Sequence, residues 1–214
     1  MTVSTASESD QTRRSPRDVA LRVGVVLVWG LAAGALTSIL QAHLDAPWAS
    51  LVNAASPWLV AAFVVGTLWL RPRSAAIAGL AVCLLELVGY YVTSAVRGFG
   101  GSHSLLVFWG ACAVVGGPVF GAAGWIWWRG RPRLRGLGVA VLGAAFLAEA
   151  AVSYGWRLHY VSSAILFGVL GLVLIAALGF RGRQYARVGL WLVVALPAGI
   201  VAEILLGLVY RQAF

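Results

Sequence analysis

Seven long apolar stretches alternate with short polar ones along the chain. They run from about Val19 to Gln41, Ala54 to Leu70, Ala75 to Val96, Ser104 to Trp128, Gly136 to Trp156, Val161 to Phe180 and Val188 to Tyr210. A helix that crosses the hydrocarbon core of a bilayer needs about 20 mainly apolar residues. The pattern therefore predicts an all-α fold, a polytopic integral membrane bundle of seven transmembrane helices. The second stretch is the shortest and the sixth the most uniformly apolar. Ahead of the first lies Met1 to Asp18, rich in Ser, Thr and charge and containing Pro16. It reads as a disordered cytoplasmic tail (1–18), followed by a single transmembrane domain (19–214). The first apolar stretch exceeds the roughly 7–15-residue core of a signal peptide, so it reads as a retained helix.

Composition agrees. Of the residues, 61% are hydrophobic and 11% charged, against about 45–50% and about 25% in soluble domains. All 16 Lys or Arg residues are arginine. With the N-terminus inside, thirteen of them fall in the tail and inner loops, and only Arg97, Arg157 and Arg211 fall outside. Cytoplasmic loops are enriched in Lys and Arg, so the bias supports an inside N-terminus, an outside C-terminus and a multi-pass place in the cell membrane. Trp69, Trp125, Trp127, Trp128 and Trp191 lie near inner ends, and Trp48, Trp58, Trp109 and Trp156 near outer ends, as interfacial belts do. The net charge of +9 follows topology and forms no basic face with interleaved aromatics, so no nucleic-acid partner is expected. Cys83 and Cys112 sit inside apolar stretches without metal-ligand spacing, where free cysteine behaves as a small hydrophobe.

Three glutamates, Glu86, Glu149 and Glu203, lie within apolar stretches. A charged side chain at mid-membrane costs about 2.5–3.5 kcal/mol even on insertion scales, so such acids are functional candidates. Helices three, five and seven run in one direction, and the helical rise puts all three acids at or beyond the midplane on the outer side. They can share one cavity if those helices are neighbours. Each helix then carries a tyrosine and an arginine: Tyr90 and Arg97, Tyr154 and Arg157, Tyr210 and Arg211. The hairpins turn on "RPR", "RPR" and "RGR", a repeat open to two readings, triplication or chance similarity. A neutral carboxylic acid in an apolar pocket donates a proton or a hydrogen bond. The alternative role for each acid is to tie two helices together.

Tyr90 follows Glu86 by one helical turn, on the same face, and Tyr91 turns away. Trp58, Phe108, Trp109, Tyr154 and Trp156 could line an aromatic pocket over the acids, because aromatic faces attract cations by about 0.5–2 kcal/mol each. Interfacial anchoring is the competing role for these rings. His43, His103 and His159 fall in outer loops, not at ligand spacing, so no metal is expected. The Gly117-x-x-x-Gly121 pair with Pro118 predicts close helix packing. There is no Walker motif, dinucleotide fingerprint or GxSxG, and no acidic cluster for a magnesium diphosphate.

The segments "LLELVGYY" around Glu86, "GPVFGAAG" from Gly117 and "FLAEAAVSYGW" around Glu149 resemble a group of short actinobacterial membrane proteins, among them the drimentine-type membrane terpene cyclases of secondary metabolism. The resemblance spans roughly Ala32 to Trp156. It implies proton-initiated cyclisation of an alkene or epoxide in a prenylated substrate, prenylated indoles among them, without metal or redox cofactor. One of Glu86, Glu149 and Glu203 would be the donor, and another would stabilise the carbocation or take the final proton. The chain is also similar in size and helical content to the substrate-binding membrane subunits of vitamin importers, where Ala32, Ala33, Gly34 and Ala35 would face a coupling subunit. Seven helices in place of six count against that alternative.

Overall fold

The computed structural model describes residues 16–213. It is an all-α polytopic membrane bundle, with no strand among the described residues. The helices are α1 (Pro16–Leu40), α2 (Ala55–Thr67), α3 (Pro72–Val96), α4 (His103–Arg129), α5 (Leu137–Ala148), α6 (Val161–Gly179) and α7 (Tyr185–Ala213). α5 continues as a π-helical segment, Glu149–Arg157. Six of these units are long and apolar enough to cross a membrane, α5 and its π extension counting as one. The expected tail over residues 1–15 lies outside the described residues. Residues 16–18, expected with it, instead open α1, with Pro16 at the start and Asp18 in the first turn. Both features suit a helix N-terminus, proline because its missing N–H is not needed there and aspartate through the helix dipole.

α2 departs most from expectation. It has 13 residues, which at 1.5 Å per residue span about 20 Å of a hydrocarbon core about 30 Å thick. Its C-terminal end reaches the arginine-rich face, where Arg129 donates to the Thr67 carbonyl and Trp125 Nε1 donates to the Leu70 carbonyl at 3.1 Å. Its N-terminal end therefore stops short of the opposite face. A short 3-10 helix, Trp48–Val52, covers that end. Ser50 pins it to α6 through a 2.7 Å hydroxyl pair with Ser163, and Tyr154 Oη donates to the Ser50 carbonyl at 3.2 Å.

Small residues set the packing order. Gly30, Gly34 and Ser38 form one stripe of α1 against α3. The backbones approach so closely that a Cβ on Gly34 would strike the Glu86 carbonyl. Gly79 of α3 meets Gly117 and Gly121 of α4, and Gly124 of α4 meets the Phe63 backbone of α2, so the expected role of the Gly117–Gly121 pair is packing. The second half of the bundle joins α5 to α4, α6 and α7. Thus α3 packs on α1, α2 and α4, while α5 and α7 pack on each other. The condition for all three glutamates to meet is not fulfilled: α2 and α4 stand between α3 and the α5–α7 pair.

A buried core centres on Phe63, Val65, Val82, Leu142, Phe146 and Phe167. Elsewhere the bundle presents large exposed apolar side chains outward along α1, α6 and α7, as a surface bathed in lipid does.

Candidate functional site

Because α2 stops short, a cavity of about 560 Å3 opens above its N-terminus at the arginine-poor end. Its walls come from the ends of five helices and the π segment. Gln41 follows α1, Trp58 lies in the first turn of α2, and Leu87, Tyr90 and Tyr91 lie in the C-terminal half of α3. Leu105, Phe108 and Trp109 begin α4, Leu206, Gly207, Tyr210 and Arg211 end α7, and Asn53 lies in the covering loop.

The π segment supplies Glu149, Ser153, Tyr154 and Arg157, and Leu158 follows at its end. Its i→i+5 winding brings residues four and five apart into register, a feature often found at functional sites. Those five residues therefore face the cavity together, and Ala151, Gly155 and Trp156 face away.

Glu149 is 5% exposed, and both its oxygens accept backbone N–H groups from the first turn of α2. Ala55 N donates to Oε1 at 3.1 Å and Ser56 N to Oε2 at 2.9 Å. The first turn of any helix leaves N–H groups without intrahelical partners, and in lipid each unsatisfied group costs several kcal/mol. The third helical residue, Pro57, has no N–H to satisfy. Glu149 thus caps a half-length helix from across the bundle, with its carboxylate at the positive end of the α2 dipole.

Glu203, 9% exposed, stands behind the cavity wall. Ser153 Oγ donates to Glu203 Oε2 at 2.7 Å, and Arg157 Nη2 donates to Ser153 Oγ at 3.1 Å. A polar line therefore runs from the wall to the buried acid. Glu86, 3% exposed, does not line the cavity, and its Oε2 has no hydrogen-bond partner among the described residues.

The aromatic wall includes five of the six expected rings: Trp58, Tyr90, Phe108, Trp109 and Tyr154. Trp156 is not among them. It is 68% exposed, because the π winding turns it outward. Tyr90 stands 6.0 Å from Trp58 and edge-on to Tyr91 at 5.2 Å. Phe108 meets Tyr210 edge-on at 5.5 Å, a contact that joins α4 to α7 across the cavity. At the mouth, Tyr90 Oη donates to Gln41 Oε1 at 2.6 Å and Gln41 Nε2 donates to Asn53 Oδ1 at 2.5 Å.

The three trailing tyrosines, Tyr90, Tyr154 and Tyr210, all reach this cavity although their glutamates do not all do so. Tyr91, expected to turn away from Glu86, lines the cavity that Glu86 does not reach, and the polar members Gln41, Asn53, Ser153, Arg157 and Arg211 were not among the expected site residues. Arg157 and Arg211 carried one signal: they are two of the three arginines that run against the charge bias. No group of three His, Cys, Asp or Glu side chains suited to a metal occurs among the described residues.

Fold and cavity together define a polytopic α-helical membrane protein with an open aromatic and polar pocket in one half of its thickness. The chain belongs to the DUF6518 family, a family of unknown function whose model matches residues 13–211. No curated protein and no solved structure matches the chain.

Proposed function

We propose that this chain is a membrane-embedded binding protein whose pocket, in the extracytoplasmic half of the bilayer, holds a small and largely apolar molecule. The observation that carries the reading is the cavity of about 560 Å3 walled by Trp58, Tyr90, Phe108, Trp109 and Tyr154. Small-molecule sites occupy about 300–1,000 Å3 and pair apolar walls with a few polar groups. An importer's substrate-binding subunit is one form of such a protein. The test uses protein in phosphatidylcholine nanodiscs titrated with the neutral fluorophore N-phenyl-1-naphthylamine, read by energy transfer from tryptophan. The expected result is saturable binding that weakens at least ten-fold in Leu105→Trp, which fills the pocket. Binding no greater than that of empty nanodiscs refutes the reading.

A second reading, the membrane terpene cyclase, is favoured by Glu149, the one acid among the described residues that lines this pocket. In it a prenylated alkene receives a proton, the aromatic faces stabilise the carbocation, a ring C–C bond forms, and a proton is lost again. The product is an isomer of the substrate. In this reading Glu149 starts as the neutral acid, gives its proton to the alkene and becomes the carboxylate that accepts from Ala55 and Ser56, with Glu203 connected through Ser153. Membranes supplied with a farnesylated indole, without ATP or metal, should yield the isomer, and Glu149→Gln should abolish it. Undiminished turnover in Glu149→Gln, or none in the unaltered protein, removes this reading.

A further inference from the structure

We infer that the molecule held in this pocket carries an anionic group, a carboxylate, sulfonate or phosphate, bound between Arg157 and Arg211 at the mouth. The inference rests on the binding reading above and names the ligand class for the same pocket.

Arg157 is held in a fixed pose. Ser153 spends its proton on Glu203, so its oxygen turns a lone pair to Arg157 Nη2. The Nη1 end of the guanidinium presses on α7 at Gly207, where any side chain larger than hydrogen would strike it. Arg211 follows Gly207 by one helical turn, on the same face, and both line the cavity. Two arginines, one from the π segment and one from α7, thus line the same pocket.

The nearby carboxyl groups hold hydrogen bonds of their own, and Glu203 also attracts Arg157 across Ser153. Glu149 accepts from Ala55 and Ser56, and Glu203 accepts from Ser153. A guanidinium has five N–H donors, and the contact with Ser153 occupies one of those on Arg157. The donors left over form a planar fork that matches carboxylate and phosphate oxygens. The remaining wall is aromatic. A ligand that satisfies both parts has an apolar body on Trp58, Trp109 and Tyr90 and an anionic end at the arginines.

The probe pair is 8-anilinonaphthalene-1-sulfonate and N-phenyl-1-naphthylamine, which differ by the sulfonate alone. Both are titrated into the full chain in phosphatidylcholine nanodiscs, and the readout is the ratio of their affinities. The ratio should fall at least ten-fold in Arg157→Gln and in Arg211→Gln, with Arg157→Lys keeping more of it than Arg157→Gln. Gel filtration and thermal unfolding establish that each variant is folded. Displacement of the sulfonate probe by phosphatidylglycerol in the bilayer supports the inference with a lipid headgroup as source. Displacement by 2-naphthoate from the water phase supports it with a free organic acid. Displacement by neither, or an unchanged ratio in the double variant Arg157→Gln/Arg211→Gln, overturns the inference while leaving the neutral pocket standing. Absence of saturable binding of either probe overturns both.

Discussion

Replacing Glu149 by alanine removes the cap of α2, and the cost follows from the geometry. The backbone N–H groups of Ala55 and Ser56 lose acceptors at 3.1 and 2.9 Å. A buried donor left unsatisfied costs about 1–3 kcal/mol. The lost attraction between a carboxylate and the helix dipole adds about 0.3–2 kcal/mol, and relief from burying a charge offsets part of the sum. A net loss of about 3 kcal/mol is expected. For a chain of 150–250 residues that corresponds to about 6–12 °C in the unfolding midpoint. A thiol-reactive dye suits the assay, because Cys83 is buried and Cys112 half-buried until the bundle opens. Hydrogen exchange should rise in the peptide that contains Ala55 and Ser56 and change little in α6. The rescue is specific. Ala55 is the first residue of α2, and Ala54 before it is extended, at φ −117° and ψ 155°, a backbone compatible with a following proline. Ala55→Pro removes one orphaned donor at a position proline favours. In the Glu149→Ala background it should restore about 1–3 kcal/mol. A Glu149→Ala protein that unfolds at the wild-type temperature, with unchanged exchange at residues 55–56, refutes the capping role.

Other perturbations test neighbouring parts of the account. Ser153→Ala cuts the line between Arg157 and Glu203 and should lower stability by about 1–3 kcal/mol, read in the same thermal assay. Gly34→Val forces α1 away from α3, where no Cβ fits against the Glu86 carbonyl. Overpacking of this kind costs about 1–3 kcal/mol, and the loss should appear as raised exchange along α1. In a Cys83→Ala/Cys112→Ala background, Gly100→Cys should react with an impermeant maleimide from outside the cell and Arg133→Cys only after permeabilisation. Labelling of both from one side would contradict the arrangement of the helices.

Much of the bundle was legible because lipid imposes simple rules. Length and hydropathy located all seven helices, and the "RPR" and "RGR" turns marked one face. The shortness of α2 was half visible, since its stretch was the shortest and Pro57 sits near its start. Its real end at Thr67 depends on Arg129 and Trp125 reaching over from α4, which no local pattern encodes. The π segment was invisible because its apolar and polar positions look helical at either winding, yet it decides that Arg157 faces the pocket and Trp156 does not. The three glutamates look equivalent along the chain. Packing separates them into a helix cap, a residue behind Ser153 and an acid on a different helix layer. The rings were easier to find than the acids because an aromatic at the outer end of a helix has few places to go once α2 leaves a gap.

The central claim is that the space above α2 is a ligand site. Photocrosslinking tests it most directly, with a diazirine-bearing farnesyl carboxylate added to the protein in phosphatidylcholine nanodiscs and labelled residues located by mass spectrometry. The account predicts labels on Trp58, Phe108, Trp109, Tyr154 and Tyr210 that disappear when unlabelled farnesyl carboxylate is added in excess, and that are absent from Leu105→Trp. Labels confined to the lipid-facing side chains of α1, α6 and α7, insensitive to competitor, would contradict it.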